Sequence, residues 1–97
     1  MAEDIRVVAF LYAKRGQETD VQAAALACVG PTRAEPGNGM YVLHLDKSNA
    51  SLFVFVEHWK SQQALDEHMQ TEHFKKLERT LDGKLATPLS IHVLSPV

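Results

Sequence analysis

A chain of 97 residues, 45% apolar and 23% charged, has the size and make-up of one water-soluble globular domain spanning residues 1–97. Its formal net charge of −2 gives no pull toward nucleic acid or an anionic membrane surface, and no apolar run approaches the length of a membrane span. Cys28 is the only cysteine, which excludes an internal disulfide and a cysteine-rich metal centre and points to a reducing compartment.

The first residues, Met-Ala-Glu-Asp-Ile-Arg, lack the basic start and long apolar core of a signal peptide, so a cytoplasmic protein is expected. Ile5 to Ala13 is almost wholly apolar and predicts a first strand. A helix follows from about Gln17, with Val21, Ala24, Ala25, Cys28 and Val29 on one apolar stripe. Cys28 lies within that stripe and reads as a buried, inert thiol. Gly30-Pro31 ends or kinks this helix, and Glu35-Pro36-Gly37-Asn38-Gly39 reads as a loop.

Met40 to Leu45 predicts a second strand, Asp46 to Ala50 a polar turn, and Leu52 to Trp59 a third strand, so the pair forms a hairpin. Ser61 is the expected N-cap of a helix over about Gln62 to Met69. Thr71 is the expected cap of the next helix, whose stripe is Phe74, Leu77 and Leu81 and which Asp82-Gly83 ends. Leu89 to Leu94 predicts the fourth strand.

The order β-α-β-β-α-α-β is the split βαβ, ferredoxin-like α+β pattern, an antiparallel sheet with helices on one face. Strands one and three are apolar on both parities: Val7, Ala9 and Leu11 point one way, Val8, Phe10 and Tyr12 the other. A sheet with one wet face alternates apolar and polar residues. The chain supplies helices for one face only, so a second copy packed on the other face, a homodimer, is the expected cover.

The junction from Leu52 to Phe74 sets an indole, a carboxylate and imidazoles near one strand end. Phe-Val-Glu-His-Trp-Lys, followed by Ala64-Leu65, His68 and Thr71-Glu72-His73-Phe74, resembles the antibiotic biosynthesis monooxygenase family. Pro31 to Gly37 also resembles the family's loop after its first helix. The resemblance implies a dimeric α/β barrel, sheet packed on sheet, and several members oxidise phenols, quinols or anthrones with O2 and neither metal nor flavin. Ungapped matching from the shared Trp carries the anthrone-oxidising member's Asn, Trp, Tyr and Arg onto Phe55, Trp59, Leu65 and Arg79. Trp59 and Arg79 keep the residue type; Phe55 and Leu65 do not. The positions of a haem-degrading relative's Trp and haem-ligating His fall at His68 and Glu78, which argues against haem. The spacing Trp59, Leu65, His68, Thr71, His73 is closer to the quinol-oxidising members.

The expected function is therefore a cofactor-independent monooxygenase of an aromatic or quinol-like small molecule. Such chemistry needs a base to ionise the substrate, a dry pocket and donors for the resulting anion. His68 is the expected base and His73 the second candidate; the alternative is that both only pack or cap helix ends. Trp59 and Phe55 are the expected flat wall for an aromatic ring, with Leu65 beside them. Glu57 anchors the base or bridges to a cation such as Arg79. No metal is expected: residues five apart on a continuous helix stand about 140° apart and share no ligand face, and although a bend at Thr71 could bring His68 and His73 together, His-x3-His is the spacing that works on a helix. Two rival functions remain open: an isomerase or other proton-transfer enzyme in the same pocket, and a non-catalytic dimer that binds a small ligand.

Overall fold

The computed structural model describes residues 4–97. Its elements are β1 (Ile5–Tyr12), α1 (Glu18–Arg33), β2 (Asn38–Leu45), β3 (Leu52–Trp59), α2 (Gln62–Met69), α3 (Glu72–Leu81) and β4 (Ser90–Leu94). The sheet order is β2-β3-β1-β4, and every neighbouring pair is antiparallel. This is the ferredoxin-like α+β arrangement expected from the order of elements.

Pairing places Val7 opposite Glu57, Ala9 opposite Phe55, and Tyr41 opposite Glu57 on its other side. Val7, Ala9, Leu11, Phe53, Phe55, Glu57 and Trp59 are buried under the helices. The alternate residues of β1 and β3, including Val8, Phe10, Leu52, Val54 and Val56, lie on the opposite face and are only half-buried. Val7 thus belongs to the helical side. The middle of the open face is apolar, as the two-sided strands required, with Arg6, His44, His58 and His92 around it.

Pro31 does not end α1. It sits within the helix, which runs on to Arg33. The missing N–H costs one intrahelical hydrogen bond in the last turn. The turn closes nonetheless, through Ala34 N–H to the Gly30 carbonyl (3.2 Å) and Glu35 N–H to the Thr32 carbonyl (3.0 Å). Arg33 Nε also donates to the Tyr41 carbonyl at 3.0 Å, tying the helix end to β2. The extra turn delivers Glu35 to the top of the sheet.

Two side-chain caps set the helical layer. Ser61 Oγ accepts from Ala64 N–H (3.1 Å) at the start of α2, and Thr71 Oγ1 accepts from Phe74 N–H (3.2 Å) at the start of α3. Both caps match the sequence expectation. Gly37 lies against α2 so closely that an added Cβ would stand 2.4 Å from the Ala64 Cβ.

Candidate active site

His68, on the last turn of α2, is buried among aromatic rings. Its ring centroid is 4.5 Å from Trp59, 5.1 Å from Phe74 and 5.6 Å from Tyr41. Burial holds the imidazole below its ordinary pKa, opposed by the hydrogen bond to Glu35. His68 Nδ1 lies 2.7 Å from Glu35 Oε2, and His73 Nε2 lies 2.7 Å from that same oxygen. An ionised carboxylate only accepts, so the neutral His68 ring carries its proton on Nδ1 and leaves Nε2 as the acceptor.

The two histidines meet because the chain does not stay helical between them. α2 ends at Met69 and α3 begins at Glu72. Thr71 Oγ1 donates to the His68 carbonyl at 2.7 Å while capping α3. That one hydroxyl fixes the break. It is the bend at Thr71 that lets His68 and His73 face a common point, which one continuous helix would not allow.

Glu57 sits on the sheet floor. Its Oε1 accepts from Trp59 Nε1 at 2.8 Å. Burial raises its pKa to about 7, against the lowering effect of the indole N–H, and the nearby Glu35 charge adds to the rise. Tyr41 stacks on Phe55 at 4.5 Å between centroids, and its hydroxyl donates to Cys28 Sγ at 3.8 Å. Burial drives the Tyr41 and Cys28 pKa values up, so both stay protonated.

Phe55, Glu57, Leu65 and His68 line one enclosed hollow, joined by Tyr41 and Phe74. Trp59 lies behind it, packed on His68 and bonded to Glu57, so it positions the wall rather than forming it. His73 opens instead onto an outer groove of about 560 Å³ between α1 and α3. Arg79 belongs to neither. It is 63% exposed and pairs with Glu72 at 2.6 Å, because it stands two residues, about 200° of helix, beyond the buried Leu77. The expected link from Glu57 to Arg79 is accordingly replaced by the bond to Trp59. Glu35 and Tyr41 join the site without any spacing signal. Glu35 is 33 residues from His68 in sequence, and Tyr41 faces Glu57 only through strand register.

The hollow is tight. It offers about 10 Å³ to the centre of a water-sized sphere, roughly room for one water. Its outer side is closed by the half-buried Met69, Leu89 and Ile91. The hollow thus sets an imidazole and a carboxyl group on the wall of one apolar enclosure.

Comparison with known proteins identifies the family and the fold. The sequence profile of the family described as "Antibiotic biosynthesis monooxygenase" matches residues 4–80. "Putative monooxygenase Rv0793" of Mycobacterium tuberculosis is 29% identical over 97 residues, covering 100% of this chain and 95% of its own. "Putative monooxygenase YcnE" of Bacillus subtilis is 29% identical over 83 residues, covering 86% and 87%. Among solved structures, PA3566 from Pseudomonas aeruginosa superposes with a TM-score of 0.93 at 31% identity, covering 100% of this chain and 97% of that one. Rv0793 superposes at 0.92 with 27% identity, covering 98% and 96%. This chain therefore belongs to the antibiotic biosynthesis monooxygenase family.

Proposed function

We propose that the protein is a cofactor-independent monooxygenase of a small phenol or quinol, working as a cytoplasmic homodimer with one site per subunit. The observation that carries this reading is the 2.7 Å bond from His68 Nδ1 to Glu35. It fixes the tautomer in which Nε2 is a free base at the edge of an apolar, aromatic enclosure. His68 Nε2 takes the hydroxyl proton of the substrate. The phenolate passes one electron to O2, and the superoxide and phenoxyl radical combine at a ring carbon bearing hydrogen. The hydroperoxide receives the proton back and loses water, leaving a carbonyl; phenol plus O2 becomes quinone plus water. Phe55 and Tyr41 form the flat wall, and Trp59 holds His68 and Glu57 in place.

A ring does not fit the hollow as it stands, since small-molecule sites are ordinarily some 300 Å³ or more. The substrate enters by displacing Met69 and Leu89, whose half-exposed side chains are the weakest part of the enclosure. The homodimer reading is supported by the apolar open face, where Phe10 pairs with Val54 and Val8 with Val56.

One observation favours a second reading. A carboxyl group with its pKa raised to about 7 beside a neutral imidazole is an acid and base pair suited to isomerisation without oxygen. An oxygen electrode separates the two. With 1,4-dihydroxynaphthalene under 18O2, the monooxygenase consumes oxygen enzymatically and places one labelled atom in the product. His68→Gln lowers that rate by about 10²- to 10⁴-fold. Oxygen uptake no faster than in buffer across a panel of phenols and quinols ends the monooxygenase reading.

A further inference from the structure

The strongest unassigned feature is the convergence of Glu35, His68 and His73. They come from the end of α1, from α2 and from α3. Their ligand-type atoms all lie within 4.8 Å of one another. We propose that these three side chains form a binding site for a zinc-type divalent cation, and that occupancy switches His68 from base to donor.

The donor set fits such an ion. Two neutral imidazoles and one carboxylate suit zinc and its borderline neighbours, and three protein ligands leave a fourth position for water. Bonds of about 2.0–2.1 Å around a tetrahedral ion put ligand atoms roughly 3.3 Å apart. Both nitrogens stand 2.7 Å from Glu35 Oε2, so each pair opens by roughly 0.6 Å. The site is also reachable. His68 is 2% exposed, but Glu35 is 14% and His73 23% exposed, and His73 lines the outer groove. An ion arrives from that groove without passing through the hollow.

Coordination has a definite chemical consequence. Without an ion, the neutral His68 ring donates its Nδ1–H to Glu35. A metal takes the lone pair of His68 Nδ1 and of His73 Nε2, so the His68 ring proton moves to Nε2. His68 Nε2 then carries hydrogen and presents a donor, not a base, to the hollow. Metal binding itself is independent of the reaction proposed above; only the loss of turnover rests on that reading.

The test is calorimetric titration of the chelator-treated full chain with Zn2+, and visible absorption with Co2+ as the spectroscopic substitute. Expected are one ion per chain with micromolar or tighter affinity, and a tetrahedral Co2+ band. His73→Ala weakens binding by at least about tenfold, while His44→Ala and His92→Ala, on exposed strand positions, do not. Nitrogen-15 NMR reads the shift of the His68 proton to Nε2. Glu35→Ala removes the central ligand; if that variant does not fold, His73→Ala at its half-buried position decides the matter. Absence of binding at 100-fold excess over protein, or affinity unchanged in His73→Ala, overturns the site. A protein that binds zinc but oxidises no quinol leaves the site standing; one that oxidises quinols and takes no zinc loses only the site.

Discussion

Trp59 and Glu57 stand two residues apart on the buried face of β3, joined by a 2.8 Å bond from indole Nε1 to carboxyl Oε1. The bond stabilises the carboxylate form, yet burial outweighs it and the pKa rises to about 7. The folded state therefore holds the Glu57 proton more tightly than the unfolded chain, whose carboxyl titrates near 4.5. Raising the pH strips the unfolded state first. The contribution to stability is greatest below about pH 4.5, falls as pH rises through 7, and then levels off. The total loss is on the order of 3 kcal/mol. Burial of His68 acts in the opposite sense over this range in both proteins, so the Glu57 effect is the difference: between pH 5 and pH 8 the native chain should lose more, or gain less, stability in chemical denaturation than Glu57→Gln, which keeps an acceptor for the indole. Equal pH slopes in the two proteins would show that Glu57 is ionised freely.

Gly37 and Ala64 are in close contact, and only glycine fits. An alanine at 37 meets the Ala64 Cβ at 2.4 Å, below any tolerable separation, and must push α2 off the β2 entrance. The expected cost is about 1–3 kcal/mol. Ala64→Gly removes the opposing carbon at its own cost of about 1 kcal/mol in a helix. In that background, Gly37→Ala should cost clearly less than in the native chain. A double-mutant cycle by urea unfolding measures the difference, and strict additivity would contradict the contact.

Thr71 holds the break between α2 and α3 with both ends of one hydroxyl, accepting from Phe74 N–H and donating to the His68 carbonyl. Thr71→Ala should destabilise the protein by about 0.5–2 kcal/mol, and Thr71→Ser should restore most of it. An alanine variant as stable as the native chain would mean that the break forms without the cap.

These cases show where the sequence was legible. Ser61 and Thr71 were readable as caps because each bonds a backbone N–H three residues away, and such a bond leaves a local signature. The two-sided strands were readable because their parity is a property of each strand alone. Glu35 was not readable, since its partners lie 33 and 38 residues away and nothing in a loop sequence marks a contact at that distance. The break between the helices of His68 and His73 was legible at Thr71, but nothing local sets the angle across such a break, so their convergence on Glu35 was not. Arg79 is the opposite case: its residue type matches the family's arginine, but it stands about 200° of helix beyond the buried Leu77 and lies in solvent.

Val54 and Val7 separate association from folding. Val54 lies on the open face, half-buried, paired with Phe10 and His44. Val7 is buried beneath the helices, across from Glu57. If the open face is covered by a second copy, the native chain sediments as a dimer at micromolar concentration. Val54→Asp then places a charge in the interface and yields a folded monomer, because in one chain alone that position still reaches water. Val7→Asp puts an unpaired carboxylate into the core and abolishes folding rather than association. Sedimentation velocity with circular dichroism distinguishes the outcomes. A native chain that stays monomeric would remove the homodimer from the proposed function, while a Val54→Asp dimer would place the contact on another surface.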